Sequence, residues 1–550
     1  MSSRALTLLL LTVLAVVWFG TLSQRKLTRP DEGRYAEISR EMVVTGDWTT
    51  PRLNGYKYFE KPALHYWATA AAFELFGTRE WTARLWSALT GFFGILLALY
   101  AGNRIFGRPA GAIAAAVLAG NVLWVLIGHI NTLDMGVSFF MTLSVLGVAL
   151  AQVDDASPTE RITWMHVAWA AAAAAMLSKG LIGIVLPGAS FVLYVLLQRD
   201  WRRLRRLYLP SGAAVFLAIA TPWYFAVSAA NSEFFHFFFI QEHFERFLTK
   251  AHGRYEPAWY FIPILLVGFS PWIVSLVPAL GRAWRAAPRQ VFLPGRFLLI
   301  WSAFVFAFFS ASSSKLPSYI LPIFPALALL VAVYASGASR ALLVWQGVPY
   351  AMMGLAVASL APLATRAANP ELPAELLARY VPWIAGAGVV MLAFAVGSVV
   401  SALKRQTVAA MLFLSAGGMF SSLSMLLGHE TLSQAYSAYH IAARIRPELR
   451  ADAPFYAVDT FDHTLPFYLG RTLTMVAYKD ELAQPIEREP GSYLPNLAAF
   501  ARAWRADGDA WAVFSARDFP EIGNTLQIPM RVVARDPRRV VVRKPEANAP

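Results

Sequence analysis

Apolar residues in this chain come in long blocks rather than in the alternation of a half-buried sheet. About thirteen blocks, most of them about 17–25 residues long, carry few charges or none: 5–23, 82–103, 110–128, 134–153, 163–178, 181–198, 207–229, 259–281, 297–312, 317–336, 341–363, 381–402 and 407–427. Such a length carries a helix across the roughly 30 Å hydrocarbon core of a bilayer. The first block follows Arg4 without a small-residue cleavage site and reads as an uncleaved anchor. Beyond the last block, β-like runs at 455–458, 473–476, 510–514, 530–533 and 540–542 alternate with helical patterns such as 497–505. The pattern predicts a polytopic α-helical membrane domain over 1–427, with about 13 transmembrane helices and outer loops at 24–81 and 230–258. It also predicts a soluble α/β domain over 428–550.

Composition agrees. Of 550 residues, 57% are hydrophobic and 15% charged, against about 25% charged in an ordinary soluble domain. The absence of cysteine excludes disulfides, thiolate nucleophiles and Cys-type metal sites. The net charge of +14 first evokes nucleic acid, but sorting charges by side removes that reading. With the N-terminus inside, the inner segments hold sixteen basic and four acidic residues, which leaves +2 for everything else. The positive-inside rule therefore fixes the orientation, and the tail falls outside.

The first outer loop holds the most candidate chemistry. Pro30, followed by two acids and closed by Gly46, reads as a helix with Asp31, Arg34, Tyr35, Ile38 and Met42 on one face. Such a helix would rest on the membrane surface and turn Asp31 towards the protein or the bilayer. Asp is also a favoured helix cap, and periodicity leaves the two roles level. Further on, Glu60 and Lys61 sit among Tyr56, Tyr58, Phe59, Tyr66 and Trp67, an aromatic set typical of a membrane interface. Asp134, Lys179 and Lys315 lie at span ends, all on the outer side. Each lysine alone is explained by snorkelling; their agreement points to function. In the second loop, His243 and Arg246 share a helix face. An arginine there would hold a phosphate in bidentate fashion, and Glu60 with His243 would be the ligands of a divalent metal beside it. No Walker loop or dinucleotide fingerprint is present, so no nucleotide cofactor is expected. An enzyme working outside then needs an activated substrate that arrives in the membrane, such as a sugar on a polyprenyl phosphate.

Five motifs carry a resemblance: 31–38 (Asp-Glu-Gly-Arg-Tyr-Ala-Glu-Ile), 46–55 (Gly-Asp-Trp-Thr-Thr-Pro-Arg-Leu-Asn-Gly), 58–62 (Tyr-Phe-Glu-Lys-Pro), 178–180 (Ser-Lys-Gly) and 314–322 (Ser-Lys-Leu-Pro-Ser-Tyr-Ile-Leu-Pro). Together they resemble the bacterial undecaprenyl phosphate–aminoarabinose:lipid A transferases, which are similar to protein O-mannosyltransferases and share their GT-C fold. The resemblance implies an inner-membrane glycosyltransferase facing the periplasm. It would move aminoarabinose from undecaprenyl phosphate to lipid A by inverting displacement, giving polymyxin resistance. In that chemistry Lys61 and Arg246 would stabilise the leaving phosphate, with Lys179 and Lys315 in support. An anionic acceptor phosphate needs little or no general base, so Asp31 would position substrate. Arg34, Glu60 and Asp134 would bind substrate, and Tyr35, Tyr58 and Tyr319 would line the sugar pocket. The same residues also suit a polyprenyl-phosphate-sugar transferase acting on protein or another glycan. A transporter would instead place polar groups near the bilayer midplane.

Overall fold

The computed structural model describes residues 3–245, 256–285, 291–337 and 339–545. Every one of the apolar blocks falls on helix. By length and composition, eight helices among the described residues are able to cross a membrane, or ten when two bent pairs each count as one span. One pair, Arg108–Ala119 and Val122–Gly128, turns by 64°; the other, Phe261–Gly268 and Ile273–Arg285, turns by 109°. Pro271 lies in the second break, where a ring without an N–H ends the helical ladder. The expected count of about thirteen is higher because apolar blocks also cover Thr7–Gly20 and Ile182–Gln198, which are shorter. A further block covers Pro158–Lys179, which carries Glu160 and Arg161 in its first turns.

Burial sorts the spans. The helices Leu133–Gln152 and Pro317–Ala335 are enclosed over 78% and 83% of their apolar windows, whereas Leu209–Ala230 and Arg340–Ala367 are enclosed over 22% and 28%. The first two form the centre of the bundle. The others turn side chains such as Phe225, Trp345 and Met352 outward, as lipid-facing helices must.

At one end of the bundle lie α1 (Asp31–Thr45), strands β1 (Arg52–Leu53) and β2 (Tyr56–Lys57), and α2 (Leu64–Phe76). The hairpin turns through Asn54 and Gly55, both at positive φ (54° and 81°), the geometry that selects Asn-Gly in a two-residue turn. α1 does not rest on a membrane surface as its amphipathic pattern predicted: every residue from Glu32 to Met42 is buried. Its polar face is covered by protein and satisfied there. Arg40 donates twice to Glu37, each at 2.7 Å, and Glu41 accepts from the Asn54 and Gly55 amides at 2.5 and 2.9 Å. Burial and the nearby Glu37 push the Glu41 carboxyl well above the usual carboxylate range.

The cover is the tail. Its five strands, β3 (Phe455–Val458), β4 (Thr474–Val476), β5 (Trp511–Ser515), β6 (Arg531–Arg535) and β7 (Arg539–Arg543), form one sheet in the order β4-β3-β5-β7-β6. β3 is parallel to β4 and β5, while β7 is antiparallel to β5 and β6. Two apolar clusters flank the sheet, and one of them includes Leu27, Ala36 and Phe73 from the first loop. The tail is docked through specific bonds as well. The Asn54 side chain donates to Leu473 O at 2.9 Å and accepts from Leu473 N at 2.7 Å.

Candidate active site

Where the bundle, the first loop and the tail meet, they enclose a cavity of about 740 Å³. Eight of the residues singled out from sequence line it: Asp31, Arg34, Tyr35, Glu60, Lys61, Asp134, Lys179 and Tyr319. They come from five parts of the chain. α1 presents Asp31, Arg34 and Tyr35; the turn before α2 presents Glu60 and Lys61; the two most enclosed spans supply Asp134 and Tyr319; and Lys179 closes the helix Pro158–Lys179.

Two expected lining residues sit elsewhere. Tyr58 is buried behind the wall and lines a small neighbouring pocket with Glu60 and Glu481. Lys315 donates to the carbonyls of Glu256 and Ser312, so its charge fastens a loop while Ser314 and Leu316 face the cavity. Arg246 and the side chain of His243 lie outside the described residues. The Glu60–His243 metal pair is therefore described only at Glu60. Among the described residues, no group of three such ligands converges.

The cavity charges are arranged in pairs. Arg34 is 2.7 Å from Asp31 on one side and 2.7 Å from Glu481 of the tail on the other. Glu481 also accepts from His463 Nε2 at 2.7 Å. Burial opposes its charge, but His463 and Arg34 hold the Glu481 carboxyl below the ordinary range. Lys179 pairs with Asp134 and lies 4.6 Å from the centre of the Tyr319 ring. Lys61 donates to its neighbour's carbonyl, Glu60 O, at 2.8 Å, and its Nζ is 3.8 Å from the Glu60 carboxylate. Asp31 makes no helix-capping hydrogen bond: the cap position is Pro30. The carboxylate is partly open to the cavity and bonded to Arg34, so it does not serve as the helix cap.

Beside Asp31, Glu32 anchors the helix. It is 1% exposed and receives Arg84 at 2.7 and 3.0 Å, the Asn131 amide at 3.1 Å, and the amide and hydroxyl of Thr28 at 3.0 Å each. Burial alone would raise its pKa; Arg84 and Arg25 overcome that and bring it down to about 2. Asn131 in turn bonds His65 at 2.9 Å, whose pKa burial lowers to about 4. This network ties α1 to the span end that carries Asp134. The aromatic set read as an interface belt belongs here too. Tyr56, Tyr58, Phe59 and Tyr66 are buried inside the protein, in clusters shared with Tyr35 and Phe461 or with Trp223 and Phe234.

The tail closes the site. Phe461, His463, Tyr478, Asp480 and Glu481 line the cavity, as does Arg29, and sequence reasoning singled out none of them. One signal was present in the 31–38 motif. A Cβ on Gly33 would stand 2.7 Å from His463 O and 2.6 Å from the Thr464 methyl, so only glycine lets α1 approach the tail this closely. Three polar atoms on cavity-lining residues have no hydrogen-bond partner among the described residues: Ser138 Oγ, Ser314 Oγ and His463 Nδ1. A partly apolar pocket with paired charges suits a ligand that carries both charged and polar groups.

Comparison with known proteins agrees with this arrangement. Residues 441–544 match the aminoarabinose transferase C-terminal domain, and residues 60–225 match the dolichyl-phosphate-mannose-protein mannosyltransferase family. An undecaprenyl phosphate-alpha-4-amino-4-deoxy-L-arabinose arabinosyl transferase of Proteus mirabilis is 34% identical over 336 residues, 61% of this chain and 60% of that one. A counterpart in Pseudomonas fluorescens is 36% identical over 359 residues, 63% of each chain. These matches span about three fifths of the relatives' length. A crystal structure of ArnT from Cupriavidus metallidurans bound to undecaprenyl phosphate superposes over 100% of both chains, with 39% identity and a TM-score of 0.95. Its apo form gives 0.93. This chain is a polytopic membrane protein and belongs to the ArnT family of aminoarabinose transferases.

Proposed function

We propose that this protein transfers 4-amino-4-deoxy-L-arabinose from undecaprenyl phosphate to a phosphate of lipid A, at the periplasmic face of the bacterial inner membrane. The observation that carries this reading is the cavity at the end of the bundle. It gathers Lys61, Lys179, Arg34 and Asp31 on the wall of one cavity, together with residues of the membrane-spanning helices. Both lipids named are amphiphiles with phosphate at headgroup depth, and Asp134 and Lys179 stand at the ends of apolar helices. The ionisable residues cluster at one end of the spans rather than at mid-membrane, which favours an interfacial enzyme over a transporter.

The transfer is a single displacement. An oxygen of the acceptor phosphate forms the bond to the anomeric carbon as the bond to the undecaprenyl phosphate oxygen breaks, with inversion. The electron pair of the broken bond stays on the leaving phosphate, so stabilising that growing charge is the main demand on the protein. Lys61 and Arg246 take this role. Lys179, paired with Asp134, supports them. The acceptor oxygen is anionic before attack, so no proton need be removed, and Asp31, tied to Arg34, acts by positioning. Tyr35 and Tyr319, which both line the cavity, would contact the sugar. A divalent cation held by Glu60 and His243 would add positive charge beside the leaving phosphate; the side chains named carry the displacement.

Mass spectra of lipid A from cells with and without the gene test the reading. An added aminopentose that depends on the gene is expected. Its absence while the donor lipid is present would overturn the assignment.

A further inference from the structure

Five carboxylates line the cavity: Asp31, Glu60, Asp134, Asp480 and Glu481. Four are already matched by a cation. Asp31 and Glu481 share Arg34, Asp134 holds Lys179, and Glu60 lies beside Lys61. Asp480 differs. Among the described residues, its hydrogen-bond partner is the neutral hydroxyl of Tyr478, which donates at 3.1 Å. The side chain is exposed, on the tail wall of the cavity. Its backbone sits at φ 38°, in the left-handed region, which Asp tolerates better than most residues. The next residue, Glu481, is fixed by an ion pair with Arg34 and a hydrogen bond from His463, which sets the register of this turn.

A second candidate acceptor lines the same cavity. His463 is about nine-tenths buried, and its Nε2 bonds the Glu481 carboxylate. With an anion as partner, Nε2 carries the hydrogen, and in the neutral ring Nδ1 is left as a lone pair. That atom is buried and has no hydrogen-bond partner among the described residues. Among the described residues, the tail wall thus offers one carboxylate with no ion-pair partner and, when the His463 ring is neutral, one unused acceptor. An alkylammonium, with one positive charge and three N–H donors, is the ligand class that uses both.

We propose that Asp480, together with His463 Nδ1, forms the subsite for the ammonium group of the transferred amino sugar. The inference rests on the transfer reading above and deepens it. The bundle and first loop handle the phosphates, while the tail reads the feature that separates this sugar from a neutral pentose. Tyr478 orients the carboxylate, and Glu481 fixes the turn. Asp480 is therefore a specificity-determining residue.

The test uses the full-length protein reconstituted in vesicles containing lipid A, with two donors: undecaprenyl phosphate-linked aminoarabinose and its counterpart bearing a 4-hydroxyl in place of the amine. The wild type is expected to prefer the amino donor in kcat/KM. Asp480→Asn should reduce that preference by about tenfold, the scale of a lost hydrogen bond to a charged group. Tyr478→Phe should reduce it in the same direction and by less. Undecaprenyl phosphate binding and the thermal midpoint show that each variant is folded; should Asp480→Asn fail to fold, Tyr478→Phe and Asp480→Ser carry the comparison. A folded variant that loses both donors equally, or keeps the wild-type preference, overturns the inference. A wild type inactive on both donors overturns the transfer reading itself, and the inference falls with it.

Discussion

Replacing Glu32 by Gln isolates the anchor beneath the site. The pair it breaks is fully enclosed: Glu32 is 1% exposed and Arg84 0%. Arg84 would keep its bonds to the carbonyls of Leu22, Arg25 and Lys26, but its charge would be unmatched. Two estimates of the loss converge. Breaking a buried ion pair from one side costs about 3–5 kcal/mol. The shift of the Glu32 pKa from 4.5 to about 2 corresponds to about 3 kcal/mol at about 1.4 kcal/mol per unit. The sign follows from the direction. A carboxylate whose pKa is lower in the folded state adds stability that is complete above about 4.5 and lost as pH falls through about 2. The stability gap between wild type and Glu32→Gln should therefore be constant at pH 6–8 and close towards pH 2. Unfolding in detergent, followed by tryptophan fluorescence against pH, measures it. Replacing Arg84 by Met in the Glu32→Gln background should restore part of the loss, because the unmatched charge is gone. A Glu32→Gln variant as stable as wild type at pH 7 would refute the reasoning.

Further outcomes concern the site. Lys61→Ala and Arg246→Ala should each reduce transfer by about 10²–10³, the cost of removing one charge-stabilising donor, while the protein still inserts; near-normal lipid A modification would contradict this. Asp31→Asn should cause a large loss of aminopentose on lipid A, since the Arg34 bridge to the tail loses one of its two anions; full activity would return Asp31 to a structural role. Gly33→Val should loosen the tail, because its side chain has no space beside His463 and Thr464, and limited proteolysis should then release fragments from 441–544 that the wild type protects.

The parts of the site that announce themselves in sequence are those where physical cost is visible locally. Asp134 and Lys179 are ionisable residues at the ends of apolar runs, an expensive placement that marks function. Lys315 gave the same signal, yet its ammonium donates to two backbone carbonyls and does not line the cavity. Tyr56, Tyr58 and Tyr66 read as a membrane belt because an apolar ring gives no sign of whether lipid or protein will cover it. The run 259–281 reads as one span since hydropathy is blind to a chain reversal at Phe269–Trp272. The five tail strands were legible as alternating runs, yet the cavity wall they support was not. Arg34 meets Glu481 across 447 positions, and no local pattern encodes a contact at that separation.

That separation bears on when the protein becomes an enzyme. The chain emerges from the ribosome N-terminus first. Asp31, Lys61, Asp134, Lys179 and Tyr319 can therefore all reach the membrane before residues 461–481 exist. Until then the pocket lacks a wall, Arg34 lacks one of its two anions, and the site lies open to water. Biogenesis thus ends with the step that makes the protein competent. A nascent or stalled chain would carry Asp31, Lys61, Asp134, Lys179 and Tyr319 without the wall that Phe461, His463, Asp480 and Glu481 complete.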